Sequence, residues 1–307
     1  SAPAQQPKTF TGSTDGDTEL LKELCAEGLS YRYEVITDEI IARIEMEIDI
    51  IAQKNYLSYF LITWDFTSYA RSKGYFYVGR GSGANSIVAY LLRITDVDPL
   101  ELDLYFERFI NLYRKNPPDF DIDFSWKDRD DIIRYVFERY PNAAWLCTYN
   151  TFQYRACIHE LSKVFGLPAT ASKNLSRGRG GLAEFSEIGA LILRYAKYIS
   201  GLPSHLSLHA GGIVISERPI SWFSASFLPP KGYPATQFSM LEAEDVGLYK
   251  FDILSQRGLG KIAEALDIIE QVYPSEKTHD IHDITYLKQD PKIAEFLRRG
   301  WALGCFH

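Results

Sequence analysis

Two aspartates in the segment DFDIDF have a spacing that suits a metal site. Asp121 and Asp123 are two residues apart, so on a strand both carboxylates point to one face. Carboxylates on one face repel each other, and a bound cation offsets that repulsion. Hard oxygen ligands select Mg²⁺ or Mn²⁺, and two such ions about 3.5–4 Å apart support in-line phosphoryl transfer. The alternative is a solvated edge strand, in which acidic and apolar residues also alternate.

A third aspartate lies inside an apolar segment further along the chain. Asp252 is flanked by Phe251 and Ile253 in the predicted strand GLYKFDI, a setting in which charged residues are uncommon. Lys250, two residues earlier, falls on the same face and can pair with Asp252 or reach a phosphate. Asp119, which opens DFDIDF, shares the parity of the aspartate pair, but it directly follows two prolines and is left outside the predicted set.

The segment YVGRGSGANSIVAYLL places a glycine-rich turn between a predicted strand and a predicted helix. Backbone N–H groups at such a turn bind anions, and Gly81 and Gly83 permit a close approach. Arg80 adds a positive charge and Ser82 a hydroxyl group. The turn differs from a Walker A loop, which ends in Gly-Lys-Ser/Thr, and from the dinucleotide fingerprint, whose third glycine is Ala84 here. A tight turn that only caps a helix is the alternative.

A mixed arrangement of helices and strands must position these groups. Isoleucines at helical spacing predict a helix after Thr37, and the apolar run at 59–62 predicts a strand that a helix follows up to Gly74. Other strands are predicted at 75–78, 119–124, 211–215 and 247–253. Because helices and strands do not alternate strictly, the class is α+β, with a mixed sheet and a more helical insertion around 151–202. A phosphate loop, an aspartate pair and a distant third aspartate are together typical of a nucleotidyltransferase palm.

The composition excludes several classes of protein. The chain has 307 residues, of which 46% are hydrophobic and 24% charged, values of a folded protein rather than a disordered one. The net charge of −7 argues against a protein that simply coats DNA but is compatible with a nucleic-acid enzyme. No apolar run reaches the ~18–20 residues of a membrane helix, and no basic-then-apolar signal stands at the start. We therefore expect a cytoplasmic protein without a membrane partner, whose cysteines are free thiols.

The segment that runs from YVGRGSGANS to PDFDIDF resembles the catalytic core of the C-family replicative polymerases, the bacterial DNA polymerase III alpha subunits. The resemblance extends from about residue 19 to the end, through TYNTFQYRACIHELSKVFG, HAGGIVI, TQFS and YKFDIL. The combination of FERF with PDFDIDF is highly specific for this family. Two positions depart from the family pattern: Gly83-Ala84-Asn85 replaces the usual Ala-Ala-Gly, and Ser239 replaces the usual aspartate. The stretch that matches the thumb is also short.

The resemblance implies catalytic aspartates and a nucleotide site. Asp121, Asp123 and Asp252 match the family's catalytic, metal-binding aspartates, which implies two Mg²⁺ ions, with Mn²⁺ as a substitute. The residues that match triphosphate contacts of the family are Arg80, Gly81, Ser82, Arg114 and Lys250. His209, in the family segment HAGGIVI, is expected to pack or to form hydrogen bonds rather than to catalyse.

The resemblance also implies a division of the chain. The family's palm resembles that of polymerase beta, with a helical thumb inserted between the second and third aspartates. The expected parts are a linker at 1–18, the palm at 19–150 and 203–256, the thumb at 151–202, and the start of the fingers at 257–307. Arg177 and Arg179, in the loop SRGRGG, either contact duplex phosphates or belong to a merely soluble loop. We expect the chain to be part of a longer protein, because the family's N-terminal metal-binding domain and most of the fingers are not in it.

The leading hypothesis is an enzyme that transfers a nucleotide from a dNTP to a primer 3′-hydroxyl by a two-metal mechanism. Its implied partners are primer-template DNA, dNTPs and other replisome subunits, and the chain by itself is expected to be inactive. One alternative is a small nucleotidyltransferase that acts on a non-DNA acceptor, and another is a non-catalytic fragment that binds DNA or a subunit. The segment THDIHD is expected to be a solvated turn rather than a metal site, although it contains His279, Asp280, His282 and Asp283.

Overall fold

The computed structural model describes residues 9–111, 119–178, 187–274, 282 and 285–301. Several residues named above lie outside the described residues, namely Arg114, Arg179, His279, Asp280 and Asp283. Within the described ranges, no helix combines the length and the apolar character that a membrane crossing requires.

Three helices begin the fold: α1 (Thr14–Arg32), α2 (Asp38–Gln53) and α3 (Leu57–Ser72). The Ser13 side chain caps α1 by accepting a backbone N–H group of its first turn. Helix α1 therefore starts inside the segment 1–18, which the sequence predicted to be a linker. The reason is Asp17, which is fully buried and accepts the backbone N–H groups of Phe10 and Thr11.

Helix α3 shows that the strand predicted at 59–62 is wrong. The run from Leu57 to Thr63 is entirely buried, so this part of the helix is enclosed by the core on all sides. A helix that is apolar all round shows no 3.6-residue period, and a short apolar run is then indistinguishable from a buried strand.

The described strands form one seven-stranded mixed sheet. They are β1 (Tyr77–Arg80), β2 (Asp121–Ser125), β3 (Ala143–Thr151), β4 (Pro203–Ile215), β5 (Ser226–Phe227), β6 (Ala235–Thr236) and β7 (Lys250–Gln256). Their order is β1-β2-β7-β4-β3-β6-β5, with β2 parallel to β7, β3 parallel to β6, and all other neighbours antiparallel. The predicted α+β class with a mixed sheet is confirmed. Strand β7 is shifted from the predicted 247–253, so Asp252 lies within it rather than at its end.

Short elements join the first strands. The glycine-rich turn after β1 is a 3₁₀ turn at Gly81–Asn85, and the short helix α4 (Ile87–Leu91) follows it. A second 3₁₀ turn lies at Phe106–Arg108, and α5 (Arg129–Arg139) connects β2 to β3.

Three helices lie between β3 and β4, in the predicted insertion: α6 (Tyr154–Val164), α7 (Ala169–Ser176) and α8 (Glu187–Ile199). They share a small hydrophobic core of their own, formed by Cys157, Ile158, Leu175, Ile192 and Ala196. Because β3 and β4 pair as an antiparallel hairpin, the insertion forms the far end of that hairpin. The division into palm, thumb and fingers stays a prediction.

The remaining helices are α9 (Met240–Asp245), α10 (Arg257–Val272), α11 (Thr285–Gln289) and α12 (Pro291–Arg298). Ser239, which departs from the usual aspartate, caps α9. Its side chain accepts the Leu241 N–H, and the Glu242 carboxylate in turn accepts the Ser239 N–H. Serine and aspartate are both strong caps, so this departure preserves the start of the helix.

The two faces of the sheet carry different residues. Phe120, Ile122 and Phe124 pack into the main core with helices α1 to α5, which places the alternating aspartates on the opposite face. Tyr59 of α3 stacks on Phe120, with ring centroids 5.5 Å apart. Its hydroxyl accepts the Phe120 N–H at 3.0 Å and donates to the Lys250 carbonyl at 3.2 Å. One buried hydroxyl therefore joins the beginnings of β2 and β7.

Arg129, at the start of α5, ties that helix to two strands. Its Nε atom donates to the Ile253 carbonyl at 2.8 Å, and one Nη atom donates to the Ala210 carbonyl at 2.5 Å. The side chain is nearly buried, with 8% of its surface exposed. Hydrogen bonds from a charged donor in such a setting are stronger than neutral ones.

We expect Arg129→Ala to lower the free energy of unfolding by about 2–4 kcal/mol, because two buried carbonyl groups lose a charged donor. Urea denaturation followed by circular dichroism measures the change. The matched control is Arg134→Ala on the same helix, whose exposed side chain forms a surface ion pair with Asp131 and whose loss should cost less than about 0.5 kcal/mol. Equal effects of the two substitutions would contradict the assigned role of Arg129.

Candidate active site

The acidic cluster is built by the parallel pairing of β2 and β7. The register places Asp121 directly opposite Asp252. A carboxylate oxygen of each, together with one from Asp119, lies within 4.8 Å of the others. Among the residues that the structure describes, this is the one group of three or more potential metal ligands at such distances.

The predicted aspartates are arranged around Asp121. Asp252 lies across the strand pair from it, whereas Asp123 is joined to it through Arg80 of β1. The Arg80 Nε atom is 2.8 Å from Asp123 Oδ2, and its Nη1 atom is 3.2 Å from Asp121 Oδ2. The structure thus adds Asp119 to the cluster, on the side away from Asp123. One indication of this was present in the sequence: Asp119, Asp121 and Asp123 are each two positions apart, so on a strand they point to the same face.

Lys250 neutralises the buried side of the cluster. Its ammonium group contacts the Asp252 carboxylate and lies 3.1 Å from Asp119 Oδ2. Burial alone would lower the pKa of Lys250, but the hydrogen bonds and charges of the two aspartates raise it above its ordinary value. Lys250 is therefore positively charged at neutral pH.

Asp252 is the most buried acid of the cluster, with 3% of its surface exposed. Burial raises its pKa to about 6, the Lys250 ammonium group opposes this rise, and the charges of Asp119 and Asp121 add to it. Gly212 of β4 lies opposite Asp252 in the register. A β-carbon at Gly212 would lie 2.8 Å from His209 Nδ1 and 3.1 Å from the Lys250 side chain, so the glycine leaves room for these two side chains beside the acid.

Two carboxylate oxygens in the cluster have no hydrogen-bond partner within the described residues, Asp119 Oδ1 and Asp252 Oδ1, although both atoms are buried. His209 Nδ1 lies 3.8 Å from the Asp252 oxygen, but it accepts the N–H groups of Gly211 and Gly212 and so has no proton to donate. Burial and the Lys250 charge lower the pKa of His209 and favour this neutral form. Unpaired oxygens with an all-oxygen donor set fit a hard divalent cation such as Mg²⁺ or Mn²⁺.

The glycine-rich turn lies directly beside the acids. Gly81 has a φ of +77°, and a β-carbon at this position would lie 3.0 Å from Asp121 Oδ2. At Gly83, a β-carbon would lie 2.6 Å from the Phe120 ring. The turn can therefore pack against β2 only because both residues lack a side chain. Gly81 and Ser82 are at least partly exposed, so their polar groups can reach a ligand.

Other predicted residues lie elsewhere. Arg177 is exposed at the end of α7 in the helical insertion, and its partner in the SRGRGG prediction, Arg179, lies outside the described residues, as does Arg114. His282 differs from the expected solvated turn, because its side chain is largely buried and lies 2.6 Å from Asp96. It belongs to no group of potential metal ligands among the described residues.

Comparison with known proteins assigns the family. Residues 19–255 match the model of the bacterial DNA polymerase III alpha NTPase domain. The chain is 36% identical to DNA polymerase III subunit alpha of Borreliella burgdorferi, over 94% of this chain and 26% of that protein. It is 34% identical to DNA polymerase III subunit alpha of Bacillus subtilis, over 93% of this chain and 27% of that protein. The error-prone DNA polymerase of Symbiobacterium thermophilum is also 34% identical, over 93% of this chain and 28% of that protein.

These matches confirm the resemblance inferred from FERF and PDFDIDF. The chain spans about a quarter of the length of the curated relatives it matches. Relatives named for DNA polymerase III and for error-prone polymerase match it about equally well. The chain belongs to the bacterial DNA polymerase III alpha NTPase domain family.

Proposed function

We propose that the acidic cluster is the nucleotidyl-transfer centre of a template-directed DNA polymerase, which joins a dNTP to a primer 3′-hydroxyl. The observation that carries the proposal is the pairing of Asp121 with Asp252 across parallel strands, beside a glycine turn and a buried lysine. Primer-template DNA, dNTPs and replisome subunits are the partners that this function requires.

Each residue around the cluster has a distinct task in the proposal. Asp121, Asp123 and Asp252, with Asp119 beside them, would hold two Mg²⁺ ions. When bound, such ions stabilise charge on the phosphoryl oxygens and lower the pKa of an attacking hydroxyl. The unpaired Asp252 Oδ1 is the acceptor that would orient the primer 3′-hydroxyl.

The triphosphate would lie between the turn and the basic side chains. The N–H groups of Gly81 and Ser82, together with Lys250 and Arg80, would stabilise its negative charge. In the structure Arg80 and Lys250 are paired with the aspartates, so the acids and the phosphates share the same positive charges. Arg114 keeps its proposed place among the triphosphate contacts on the resemblance alone.

We also propose that the palm consists of 19–150 and 203–256, the thumb of 151–202, and that Arg177 and Arg179 approach the duplex. Correct positioning of primer, template and nucleotide contributes ~7–11 kcal/mol to such reactions. Since the chain spans about a quarter of its relatives, we propose that efficient extension needs surfaces beyond these 307 residues, which would leave this chain inactive alone.

A direct test is binding of Mn²⁺, followed by the electron paramagnetic resonance signal of the free ion. The nucleotide-free chain should bind Mn²⁺, and Asp121→Asn should weaken binding by at least about tenfold, because ligand charge sets affinity at such sites. The control is Asp245→Asn, an exposed acid on α9 outside the cluster. Unchanged Mn²⁺ affinity in the Asp121 variant would rule out the metal assignment.

The nucleotide prediction separates the proposed function from its alternatives. All four dNTPs should bind with similar affinity and only with Mg²⁺, because the chain contacts the triphosphate rather than the base. Lys250→Ala should weaken the binding of each dNTP by about tenfold, because a charge-assisted contact is lost. The control Lys127→Ala, at an exposed lysine, should leave dNTP binding unchanged. Displacement of a fluorescent nucleotide measures both. Selectivity for one nucleotide would favour a small nucleotidyltransferase, and no binding would favour a non-catalytic fragment.

The raised pKa of Asp252 predicts that its ionised carboxylate lowers the stability of the folded state. Because its folded pKa of about 6 exceeds the usual 3.8, the folded state loses stability as pH rises from about 4 to about 6.5. In EDTA at pH 7.5, Asp252→Asn should therefore be more stable than the wild type by about 1–3 kcal/mol, and equally stable at pH 4. Urea denaturation at each pH measures this, with Asp245→Asn as the control.

Saturating Mg²⁺ should shrink or reverse this difference in the free energy of unfolding between Asp252→Asn and the wild type. The reason is that only the wild type retains all the acids that would bind the ion. An Asp252→Asn variant that is less stable than the wild type at pH 7.5 in EDTA would show that the Lys250 pair outweighs the burial of the charge.

A further inference from the structure

The glycine turn is held in place at three points. Its first residue, Gly81, lies against Asp121, and Gly83 lies against the Phe120 ring. The third point is the end of the turn, at Asn85 and Ser86, where a buried ion pair from α2 contacts the backbone. That ion pair, Arg43 with Glu47, is remote in sequence from the turn, and no motif includes it.

Glu47 is fully buried and accepts four hydrogen bonds. Its Oε2 atom accepts the Ser86 hydroxyl at 2.7 Å and the Val88 N–H at 3.2 Å. Its Oε1 atom accepts the Ile87 N–H at 3.1 Å and the Arg43 Nε–H at 2.7 Å. The carboxylate therefore satisfies backbone donors of the first turn of α4, directly after the glycine turn.

Arg43 extends the same contact to the glycine turn itself. One of its Nη atoms donates to the Asn85 carbonyl at 3.1 Å and to the Leu104 carbonyl at 3.0 Å. The Asn85 side chain in turn donates to the Ser82 carbonyl at 2.8 Å. A continuous set of hydrogen bonds thus runs from Glu47 through Arg43 and Asn85 to Ser82.

We infer that Glu47 is a positioning residue for the triphosphate turn: from within the core it fixes the backbone whose N–H groups would meet the nucleotide. The inference rests on the proposed function. Donors aimed at a ligand are effective when surrounding contacts hold them in place before binding. Glu47 does not touch the acidic cluster, so its effect should fall on the nucleotide and spare the metal.

The geometry requires a carboxylate at this position. All four partners of Glu47 are donors, two on each oxygen. A glutamine has one acceptor oxygen and one donor amide, so Glu47→Gln would place an N–H₂ group against two buried donors. The substitution keeps the size of the side chain, but only one of its two terminal atoms can then accept hydrogen bonds.

The chain offers a matched control for the cost of losing a buried carboxylate that accepts backbone N–H groups. Asp17 is also fully buried, and it accepts the N–H groups of Phe10 and Thr11 before α1. Asp17→Asn should destabilise the fold in the same way. Because Asp17 anchors the segment before α1 rather than the start of α4, its loss should leave the glycine turn unchanged.

The experiment compares the 307-residue wild type with Glu47→Gln, Ser86→Ala and Asp17→Asn. Ser86→Ala removes one of the four bonds of Glu47, together with the contact of the Ser86 hydroxyl with the Ala89 N–H, and retains Glu47. It therefore serves if the glutamine variant does not fold. Three quantities are measured: amide hydrogen exchange of residues 81–88 by mass spectrometry, dissociation constants of Mg²⁺-dNTP, and Mn²⁺ affinity without nucleotide.

We expect Glu47→Gln to raise the dNTP dissociation constant at least about tenfold, as loss of a supporting hydrogen bond commonly does, and to speed exchange at 81–88. Mn²⁺ affinity should stay at the wild-type value, and Ser86→Ala should show smaller changes of the same kind. Asp17→Asn should lower the melting temperature without changing exchange at 81–88 or nucleotide affinity.

A folded Glu47→Gln variant with wild-type exchange at 81–88 would overturn the inference, as would equal losses of nucleotide and Mn²⁺ affinity. If Glu47→Gln does not fold, wild-type exchange in Ser86→Ala would overturn it. If the wild type itself binds no dNTP, the proposed function fails, while the exchange data still decide whether Glu47 holds the turn.

Discussion

The repulsion among Asp119, Asp121 and Asp252 is the constraint around which the site is built. Parallel pairing of β2 with β7 places two of these carboxylates directly opposite each other, beside the hydrophobic core. The surrounding residues compensate: Lys250 contacts one side of the group and Arg80 the other. The compensation is incomplete, since two buried oxygens keep no partner within the described residues. A protein that retains such a cluster gives up stability that a neutral core would provide.

The opposite face of the same strands explains why the acids stay in register. A one-residue slip of β2 would turn Phe120, Ile122 and Phe124 out of the core and the aspartates into it. Stacking of Tyr59 on Phe120 and the two hydrogen bonds of the tyrosine hydroxyl fix the starts of β2 and β7 along the strand direction. The precision of the site is therefore supplied by apolar packing on its far side.

The sequence predicts those features of the fold and site that follow from local patterns, and it does not predict those that depend on contacts between distant residues. The parity of Asp121 and Asp123 and the α+β class follow from local patterns, and FERF with PDFDIDF is specific enough to indicate the family. The strand predicted at 59–62 failed because a fully enclosed helix carries no amphipathic period. Asp119 could not be assigned to the cluster from the sequence, because it follows two prolines and the direction of its side chain could not be inferred from the strand pattern. Glu47 could not be found at all, because its contacts are with residues some forty positions away.

The helical insertion at the end of the β3–β4 hairpin has a consequence for how such proteins diversify. Its hydrophobic core is separate from the main one, and the hairpin shows register irregularities at Trp145/Cys147 and Asn150/Thr151. Segments can lengthen, shorten or exchange at such a tip without moving the register of β2 against β7. Evolution can therefore remodel this tip while the arrangement of the acidic cluster is inherited intact, and relatives that differ in the insertion can share the same pairing of β2 with β7.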